Sequence, residues 1–362
     1  MPPTQGPCAW RLPEFSLFHV LNMRVHLVAG LSGLTMVNQA LTVAAAVATA
    51  SAAYMLLVQK KKKKKKKIVI TGGSGNLGTK LATHLLATEP DDWDVVLLEH
   101  PKYYIADRRP AGANVVLGDL ADGSGEWTAS LRGADSVVHF SAVNPYPNAN
   151  FHESAGSMSH TFNVFLEATR HNVRRVVFAS SNHVMGQYKE KPEHGMVKPS
   201  DPPMCGTPLR NPADLAASGD AVAYSVAKLA GEQLCKSIAA TLGPACRTSF
   251  YILRIGWCQP GANLPSTITA AGAPPEFQTK TEGGKAQTAS QPAEDVDGDW
   301  FKGMWLSNGD FLRYFTAALK QPNPPSGSVV LVNAMSANTG ARWSLKETEQ
   351  LLGVKAQDDV RK

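Results

Sequence analysis

The sequence predicts an α/β fold, a doubly wound parallel sheet with helices on both faces, and two observations indicate this class. Short β-branched runs alternate with longer segments whose apolar residues recur at helical spacing. A glycine-rich turn follows the first run directly and precedes a helical segment. The predicted strands are residues 68–71, 95–99, 115–117, 136–140, 175–179, 249–254 and 329–333.

Helices are predicted in most intervals between these strands. The first has Leu77, Leu81 and Leu85 on one face. Two other intervals, 189–220 and 261–299, are rich in Pro, Gly and polar residues, and we expect long loops there. The remaining helix predictions are a short helix ending at 130–132, then 151–171, 223–242, 310–319 and 345–352.

The composition is that of a folded chain with reduced thiols. The 362 residues are 43% apolar, 18% charged and 7% aromatic, which excludes a wholly disordered, collagen-like or coiled-coil protein. The five cysteines lie far apart without paired spacing. We therefore expect neither a disulfide framework nor a metal cluster.

The net charge of +6 arises from the first 67 residues. This leader has ten basic residues, eight of them the consecutive lysines 60–67, and one acid, Glu14. The other 295 residues have 26 basic and 29 acidic side chains, a net of −3. The basic surface that is typical of nucleic-acid binding is therefore not expected in the main part of the chain.

The leader contains a candidate membrane span. Residues 40–58 are an uncharged run of 19, close to the ~20 apolar residues that cross a bilayer as a helix. The lysines that follow are typical of a cytoplasmic flank. We therefore predict a membrane anchor, with everything after it facing the cytoplasm. Three alternatives stay open: a mitochondrial or plastid transit peptide, a true start at Met23 or Met36, and an exposed arm.

The glycine turn has the spacing of a dinucleotide-binding motif. Gly72 permits the tight turn out of the strand, Gly75 lets the backbone approach a pyrophosphate, and Gly78 lets the helix pack on the sheet. Free N–H groups at the start of the helix, near Asn76 and Leu77, favour the phosphates. An ordinary glycine-rich turn is the alternative.

Three further residues are candidates for contacts to the adenosine part of this cofactor. Glu99 ends the second predicted strand, where an acid accepts hydrogen bonds from ribose hydroxyls and favours NAD over NADP. Nearby basic residues weaken that preference, and a solvated acid at a strand end is the alternative. Asp119 and Leu120 follow the third predicted strand, where we expect contact with adenine.

Tyr224 and Lys228 supply a possible acid–base pair. They are four residues apart at the start of helix 223–242, so the phenol and the ammonium share one face. A nearby cation stabilises phenolate and lowers the pKa of tyrosine from about 10. Tyr224 is therefore a candidate base for an alcohol or acid for a carbonyl, and Lys228 a candidate ligand of the nicotinamide ribose.

Four polar residues, Ser180, Ser181, Asn182 and His183, follow the fifth predicted strand. Ligands of open parallel sheets bind at the carboxyl ends of the strands. These side chains are therefore placed to orient a hydroxyl or carbonyl of a small-molecule substrate. A purely structural role is the alternative for His183.

Together these elements resemble the extended short-chain dehydrogenase/reductase superfamily, the NAD-dependent epimerases and dehydratases, and in detail the uronate dehydrogenases. The resemblance covers about residues 68–340 and implies a Rossmann fold with NAD as cofactor. It implies oxidation of a sugar acid, or a related cyclic hydroxy compound, with Tyr224 as base beside Lys228. The matching stretches are the glycine turn, 118–122, 177–183, 224–232, 253–260 and 333–338.

The resemblance also implies the remaining site residues and the organisation of the chain. Asn144 and Trp257 stand where the family has serines, and no arginine stands where the family binds the uronate carboxylate; Lys302 is the nearest cation. A homodimer would form through helices 151–171 and 223–242. The residues placed at the substrate are Asn144, Asn182, His183, Trp257 and Lys302, with Asn182 and Ser181 also in the catalytic set. The predicted regions are a leader (1–67), an NAD-binding domain (68–260), a flexible insertion (261–299) and a substrate-side part (300–362).

Two other functions stay open from the sequence. An epimerase or dehydratase acting on a nucleotide-linked sugar would need basic residues for a diphosphate. A non-catalytic, NAD-binding scaffold would bind the cofactor without turnover, although the tyrosine–lysine pair argues against it. The candidate diphosphate ligands are Lys302, Arg313, Lys320 and Arg342.

Overall fold

The computed structural model describes residues 46–49, 64–143, 151–206, 220–267, 299–322, 325 and 327–362, and in it seven parallel strands form one sheet. The strands are β1 (Lys66–Thr71), β2 (Trp93–Glu99), β3 (Asn114–Leu117), β4 (Ser136–His139), β5 (Arg175–Ser181), β6 (Ser249–Ile255) and β7 (Val329–Ala334). Their spatial order is β3-β2-β1-β4-β5-β6-β7. The order therefore reverses between β1 and β4, which confirms the predicted doubly wound parallel sheet of the Rossmann type.

Helices flank this sheet, as the alternation in the sequence predicts. Short 3₁₀ segments lie at Ala106–Arg108, Glu126–Leu131, Asn182–Glu190, Pro192–His194 and Pro265–Thr267. The α-helices are α1 (Asn76–Thr88), α2 (Phe151–Arg170), α3 (Asp220–Thr241), α4 (Asp299–Gly303), α5 (Asn308–Lys320) and α6 (Lys346–Leu352).

Two apolar layers cover the two faces of the sheet. Ile68 and Ile70 of β1 point into one layer, which includes residues of α1 and α5. Val69 points into the other layer, which includes residues of α2 and α3. Successive strand residues face opposite sides, so an apolar run with no polar alternation is what a sheet covered on both faces requires.

Most element boundaries lie within three residues of those predicted, and two regions show how the structure departs from the prediction. The first strand begins at Lys66 rather than Ile68, because Lys66 pairs with Trp93 in register and the Lys66 ammonium lies 5.6 Å from the centroid of that indole ring. The segment 189–206, part of a predicted long loop, contains the 3₁₀ segment Pro192–His194 and a bridge between Val197 and Trp343. The rest of the two predicted loops, 207–219 and 268–298, lies outside the described residues.

The predicted membrane anchor requires correction. No helix within the described ranges is long and apolar enough to cross a bilayer. Residues 46–49 form a short helical turn. The remainder of the predicted span 40–58 lies outside the described residues.

Candidate active site

The glycine turn joins β1 to α1 by contacts between backbone atoms. Gly72 has a φ of +64°, a conformation that favours glycine. A Cβ on Gly78 would lie 2.4 Å from the carbonyl oxygen of Gly72 and 2.5 Å from the Cα of Gly73. Helix α1 begins after Gly75 with no side-chain cap and no acidic residue in its first turn. The turn therefore presents backbone N–H groups and the positive end of the helix dipole, which suits a pyrophosphate.

Glu99 lies directly against this turn. Its side chain is buried, with 4% of its surface exposed. One carboxylate oxygen accepts from the Ser74 N–H at 2.6 Å, and the other accepts from the Ser74 hydroxyl at 2.8 Å. Burial raises the pKa of Glu99, and the hydrogen bonds from Ser74 oppose that shift. Glu99 thus fixes the turn to the end of β2 at the place where the sequence predicts a ribose ligand.

The other residues predicted at the cofactor lie around the same edge of the sheet. Asp119 is exposed after β3, and its carboxylate accepts from the Ala121 N–H at 2.8 Å. The Leu120 side chain is buried in the apolar layer, and Leu77 packs against the layer on the opposite face. The Asn76 amide donates to the Cys258 carbonyl at 2.8 Å and so connects α1 to the segment after β6.

Tyr224 and Lys228 lie on one face of α3, as their spacing predicts. The Lys228 ammonium is 5.6 Å from the centroid of the Tyr224 ring and 5.1 Å from that of Phe178, and it donates to the Ala179 carbonyl at 2.8 Å. Burial lowers the pKa of Lys228 to about 7. Burial also raises the pKa of Tyr224 to about 12, although its hydrogen bond with Ser181 opposes the shift. The predicted lowering of the tyrosine pKa is therefore wrong for this state, because desolvation dominates.

The four polar residues at the end of β5 and just after it have two different roles. Ser181 caps the 3₁₀ segment Asn182–Glu190 by accepting from the His183 N–H at 3.2 Å. The Asn182 amide donates to the Ile255 carbonyl at 3.1 Å. The His183 ring packs edge-on against the Tyr224 ring with centroids 5.7 Å apart, and burial lowers the pKa of His183 to about 4. Ser181, Asn182 and His183 are thus brought next to Tyr224.

Ser180 takes a different role from the predicted one. Its hydroxyl donates to a Glu232 carboxylate oxygen at 2.6 Å, inside the protein. The Glu232 carboxylate also receives two hydrogen bonds from the Arg254 guanidinium, at 2.8 and 2.7 Å. This pair is 1% and 0% exposed at the arginine and the glutamate. Sequence reasoning did not identify it as an ion pair, although both residues fall within the stretches that carry the resemblance.

Of the remaining residues predicted at the substrate, the structure describes Trp257 and Lys302. Trp257 is half-buried, and its ring centroid is 5.4 Å from that of Phe301. Lys302 is half-buried on α4. Asn144 lies outside the described residues. Asn338, in the stretch 333–338, is structural, since its amide donates to the carbonyls of Gly303 and Trp305.

A family model describes most of this sheet. The NAD-dependent epimerase/dehydratase family matches residues 68–256, from β1 to just beyond β6. The chain belongs to this family. Its NAD dependence confirms the predicted cofactor, and the glycine turn and the buried acid at the end of β2 fit that dinucleotide.

Proteins of similar sequence include sugar dehydrogenases. The chain is 29% identical over 300 residues to an L-arabinose 1-dehydrogenase (NAD(P)(+)) of Haloferax volcanii, which covers 80% of this chain and 95% of that protein. It is 38% identical over 90 residues to a uronate dehydrogenase of Pseudomonas syringae pv. tomato, covering 24% of this chain and 32% of that protein. A solved mutated uronate dehydrogenase has the same fold, with a TM-score of 0.56 at 21% identity over 82% of this chain and 84% of that one.

Proposed function

We propose that this chain oxidises the C1 hydroxyl of a free cyclic sugar, a sugar acid or a related compound, with NAD as the hydride acceptor and Tyr224 as the base. The observation that carries the proposal is the cluster of Tyr224, Lys228, Ser181, Asn182 and His183 at the carboxyl end of β5. The relative that spans 300 residues of the chain acts at the corresponding carbon of arabinose, by its name.

The chain's own groups account for the movement of the proton. When bound, NAD accepts the hydride that leaves C1. Tyr224 takes the proton of the C1 hydroxyl at its phenolic oxygen, and Ser181, its hydrogen-bond partner, orients that oxygen. Loss of a hydride and a proton from a cyclic hemiacetal leaves a lactone, so atoms and charge balance.

The electrostatics favour oxidation at alkaline pH. A tyrosine whose pKa is about 12 is mostly protonated at neutral pH. The phenolate fraction therefore grows as the pH rises, and we expect the rate of sugar oxidation to rise above pH 7. His183, with its pKa near 4, stays neutral in that range and serves as a hydrogen-bonding group toward a substrate hydroxyl.

An acidic sugar would also need a cation to bind its carboxylate. Lys302 on α4 would supply a point charge for this, without the bidentate hydrogen bonds that an arginine guanidinium makes. The half-buried Trp257 would give one wall of the sugar site, packed on Phe301.

The test is NADH formation by the purified full-length chain. The substrates are L-arabinose, D-galactose, D-galacturonate and D-glucuronate, with Tyr224→Phe as the matched control because it removes only the phenolic oxygen. The proposal predicts turnover of at least one of these compounds by the natural chain, with loss of activity in the variant. NAD binding without any Tyr224-dependent turnover would contradict it and favour the scaffold alternative.

The epimerase alternative receives less support from the basic residues. Arg313 is paired with Asp310 and Asp358. Lys320 is paired with Glu89. The Arg342 guanidinium donates to two backbone carbonyls. Arg313, Lys320 and Arg342 are thus already engaged within the protein.

We also propose that the chain forms a homodimer through α2 and α3. A groove of about 650 Å³ lies between these helices, and Met158 and Phe162 beside it are 40% and 48% exposed. Both side chains lie on α2, and exposed apolar side chains that lie together are typical of a protein–protein contact. Phe162→Asp should shift the sedimentation coefficient toward that of a monomer; an unchanged value would contradict the interface.

A further inference from the structure

A fully buried histidine lies where the strand order of the sheet reverses. His139 ends β4 and pairs in register with Thr71, which ends β1. These are the strands between which the sheet changes direction, and dinucleotides bind in the crevice outside the carboxyl ends of the strands at such a point. This buried pair therefore lies at the ends of the two strands that border that crevice.

The hydrogen bonds around His139 have one consistent direction. The Thr161 hydroxyl on α2 donates to the Ser157 carbonyl at 2.9 Å, so its oxygen can only accept from the ring nitrogen Nε2 of His139, 3.0 Å away. The other ring nitrogen, Nδ1, then carries no proton. It accepts from the Thr71 hydroxyl at 2.8 Å.

The chain of bonds ends on the loop that follows β4. With its proton given to His139, the Thr71 oxygen accepts from the backbone N–H of Ser141 at 3.1 Å. The Ser141 backbone lies beside the glycine turn, since a Cβ on Gly72 would be 3.2 Å from the Ser141 nitrogen. Two residues further along, the backbone N–H of Val143 donates to the Ser157 hydroxyl oxygen at 3.0 Å. The loop 141–143 is thus held against the turn by hydroxyls from β1 and α2.

Burial maintains this arrangement. Burial holds the pKa of His139 well below its usual range, and the nearby Lys228 charge acts in the same direction. The ring also stacks on Phe178, the aromatic residue over which the Lys228 ammonium lies. A neutral imidazole, with its proton on Nε2, is therefore the form that this site holds.

We propose that His139 is a positioning residue for the cofactor. Its unprotonated Nδ1 orients the Thr71 hydroxyl so that Thr71 fixes the Ser141 N–H and, with it, the wall of the NAD crevice. The proposal rests on NAD binding at the glycine turn, but not on the identity of the sugar.

Two substitutions separate this role from simple packing. His139→Asn places an amide oxygen near the position of Nδ1, where it can still accept from Thr71. His139→Gln places its amide near the position of Nε2 and loses that bond. Both remove the ring. The measurement is NAD affinity of the full-length chain by calorimetric titration, with thermal unfolding recorded alongside. His171→Gln, just after the end of α2, is the matched control.

We expect His139→Gln to weaken NAD binding roughly tenfold, the factor that corresponds to about 1.4 kcal/mol for a buried group left without its partner. His139→Asn should stay within about threefold of the natural chain, although the two variants lose a similar amount of thermal stability. Equal weakening by both variants, or by neither, would overturn the proposal. If the natural chain did not bind NAD, the cofactor site itself would be wrong.

A second pair of variants tests the same bond if the histidine variants do not fold. Thr71→Val keeps the shape of the side chain but removes the hydroxyl, and Thr71→Ser keeps the hydroxyl. The proposal predicts that NAD affinity falls in the valine variant and is retained in the serine variant. The reverse order, or no difference, would overturn it.

Discussion

The two ends of the candidate site are built by different means. At the cofactor end, formed by the glycine turn and Glu99, backbone atoms meet at distances that exclude a side chain, as at Gly78. At the substrate end, formed by β5, the start of α3 and the segment after β6, side chains from distant parts of the chain meet around Glu232 and Arg254. The glycine turn itself is therefore specified by neighbouring residues, whereas the substrate end depends on packing between distant parts of the chain.

The largest effect is expected from breaking the buried ion pair. Arg254→Met leaves the Glu232 carboxylate buried with only the Ser180 hydroxyl as partner. Removing one partner of a buried pair costs about 3–5 kcal/mol of unfolding free energy. Urea denaturation measures this loss.

A double variant supplies the control for that loss. Arg254→Met combined with Glu232→Leu removes both charges, and it should recover much of the stability, because apolar replacement of a whole pair is often neutral. A loss below about 1 kcal/mol in the single variant would show that the pair does not hold the substrate end together.

At the cofactor end, we expect a substitution of Gly78 to reduce both stability and NAD affinity. Gly78→Ala places a methyl group against the backbone of the turn, and overpacking of this kind costs about 1–3 kcal/mol. NAD affinity should fall by at least about tenfold, the equivalent of 1.4 kcal/mol. Gly156→Ala on α2 is the matched control: its Cβ would meet nothing within 4 Å, and helix propensity favours alanine by about 1 kcal/mol. Equal NAD affinity in both variants would contradict the backbone account.

Burial of Lys228 in the candidate active site lowers the unfolding free energy of the chain. Its pKa is about 7 in the folded chain and 10.5 in the unfolded reference. The unfolded chain thus binds more protons between these values, and the contribution of Lys228 makes the unfolding free energy rise with pH across that window. Lys228→Met should flatten this part of the pH dependence, while it reduces turnover. A variant whose melting temperature has the same pH profile as the natural chain would show that the ammonium is not buried.

The smallest effect is expected at Ser74. Ser74→Ala removes the hydroxyl bond to Glu99 but keeps the backbone N–H bond, so we expect a loss of about 1 kcal/mol and a few-fold weaker NAD binding. Ser124 makes the same kind of bond to Asp122 at 2.8 Å on the surface. Ser124→Ala should change stability by less than about 0.5 kcal/mol. If the two variants lost similar amounts of stability, burial would not make the Ser74–Glu99 bond more stabilising than the exposed Ser124–Asp122 bond.

The same contrast explains what could be predicted from the sequence. The sheet, the glycine turn and the tyrosine–lysine spacing follow from local periodicity and from motifs within eight residues. The role of Ser180 could not be predicted, since neighbouring residues of β5 face opposite sides and the strand end alone does not fix which side is the site. The role of His139 could not be predicted for the same reason, although a histidine next to the two valines of β4 is a usable signal.

The raised pKa of Tyr224 shows a further limit. The spacing of Tyr224 and Lys228 predicts that they share a face, and they do. It does not predict how deeply both are buried, and desolvation shifts each pKa toward the neutral form. The anchor prediction is contradicted as well, since no helix among the described residues is long and apolar enough to cross a bilayer.

The most direct test of the central claim is transfer of the C1 hydrogen from the sugar to the cofactor. The full-length chain is incubated with NAD and a sugar that carries deuterium at C1, chosen as the substrate with the highest turnover. The account predicts deuterium in the NADH that is released, a lactone or its hydrolysis product, and neither product with Tyr224→Phe. Deuterium that stays in the sugar, with NAD unchanged after turnover, would contradict net oxidation at C1.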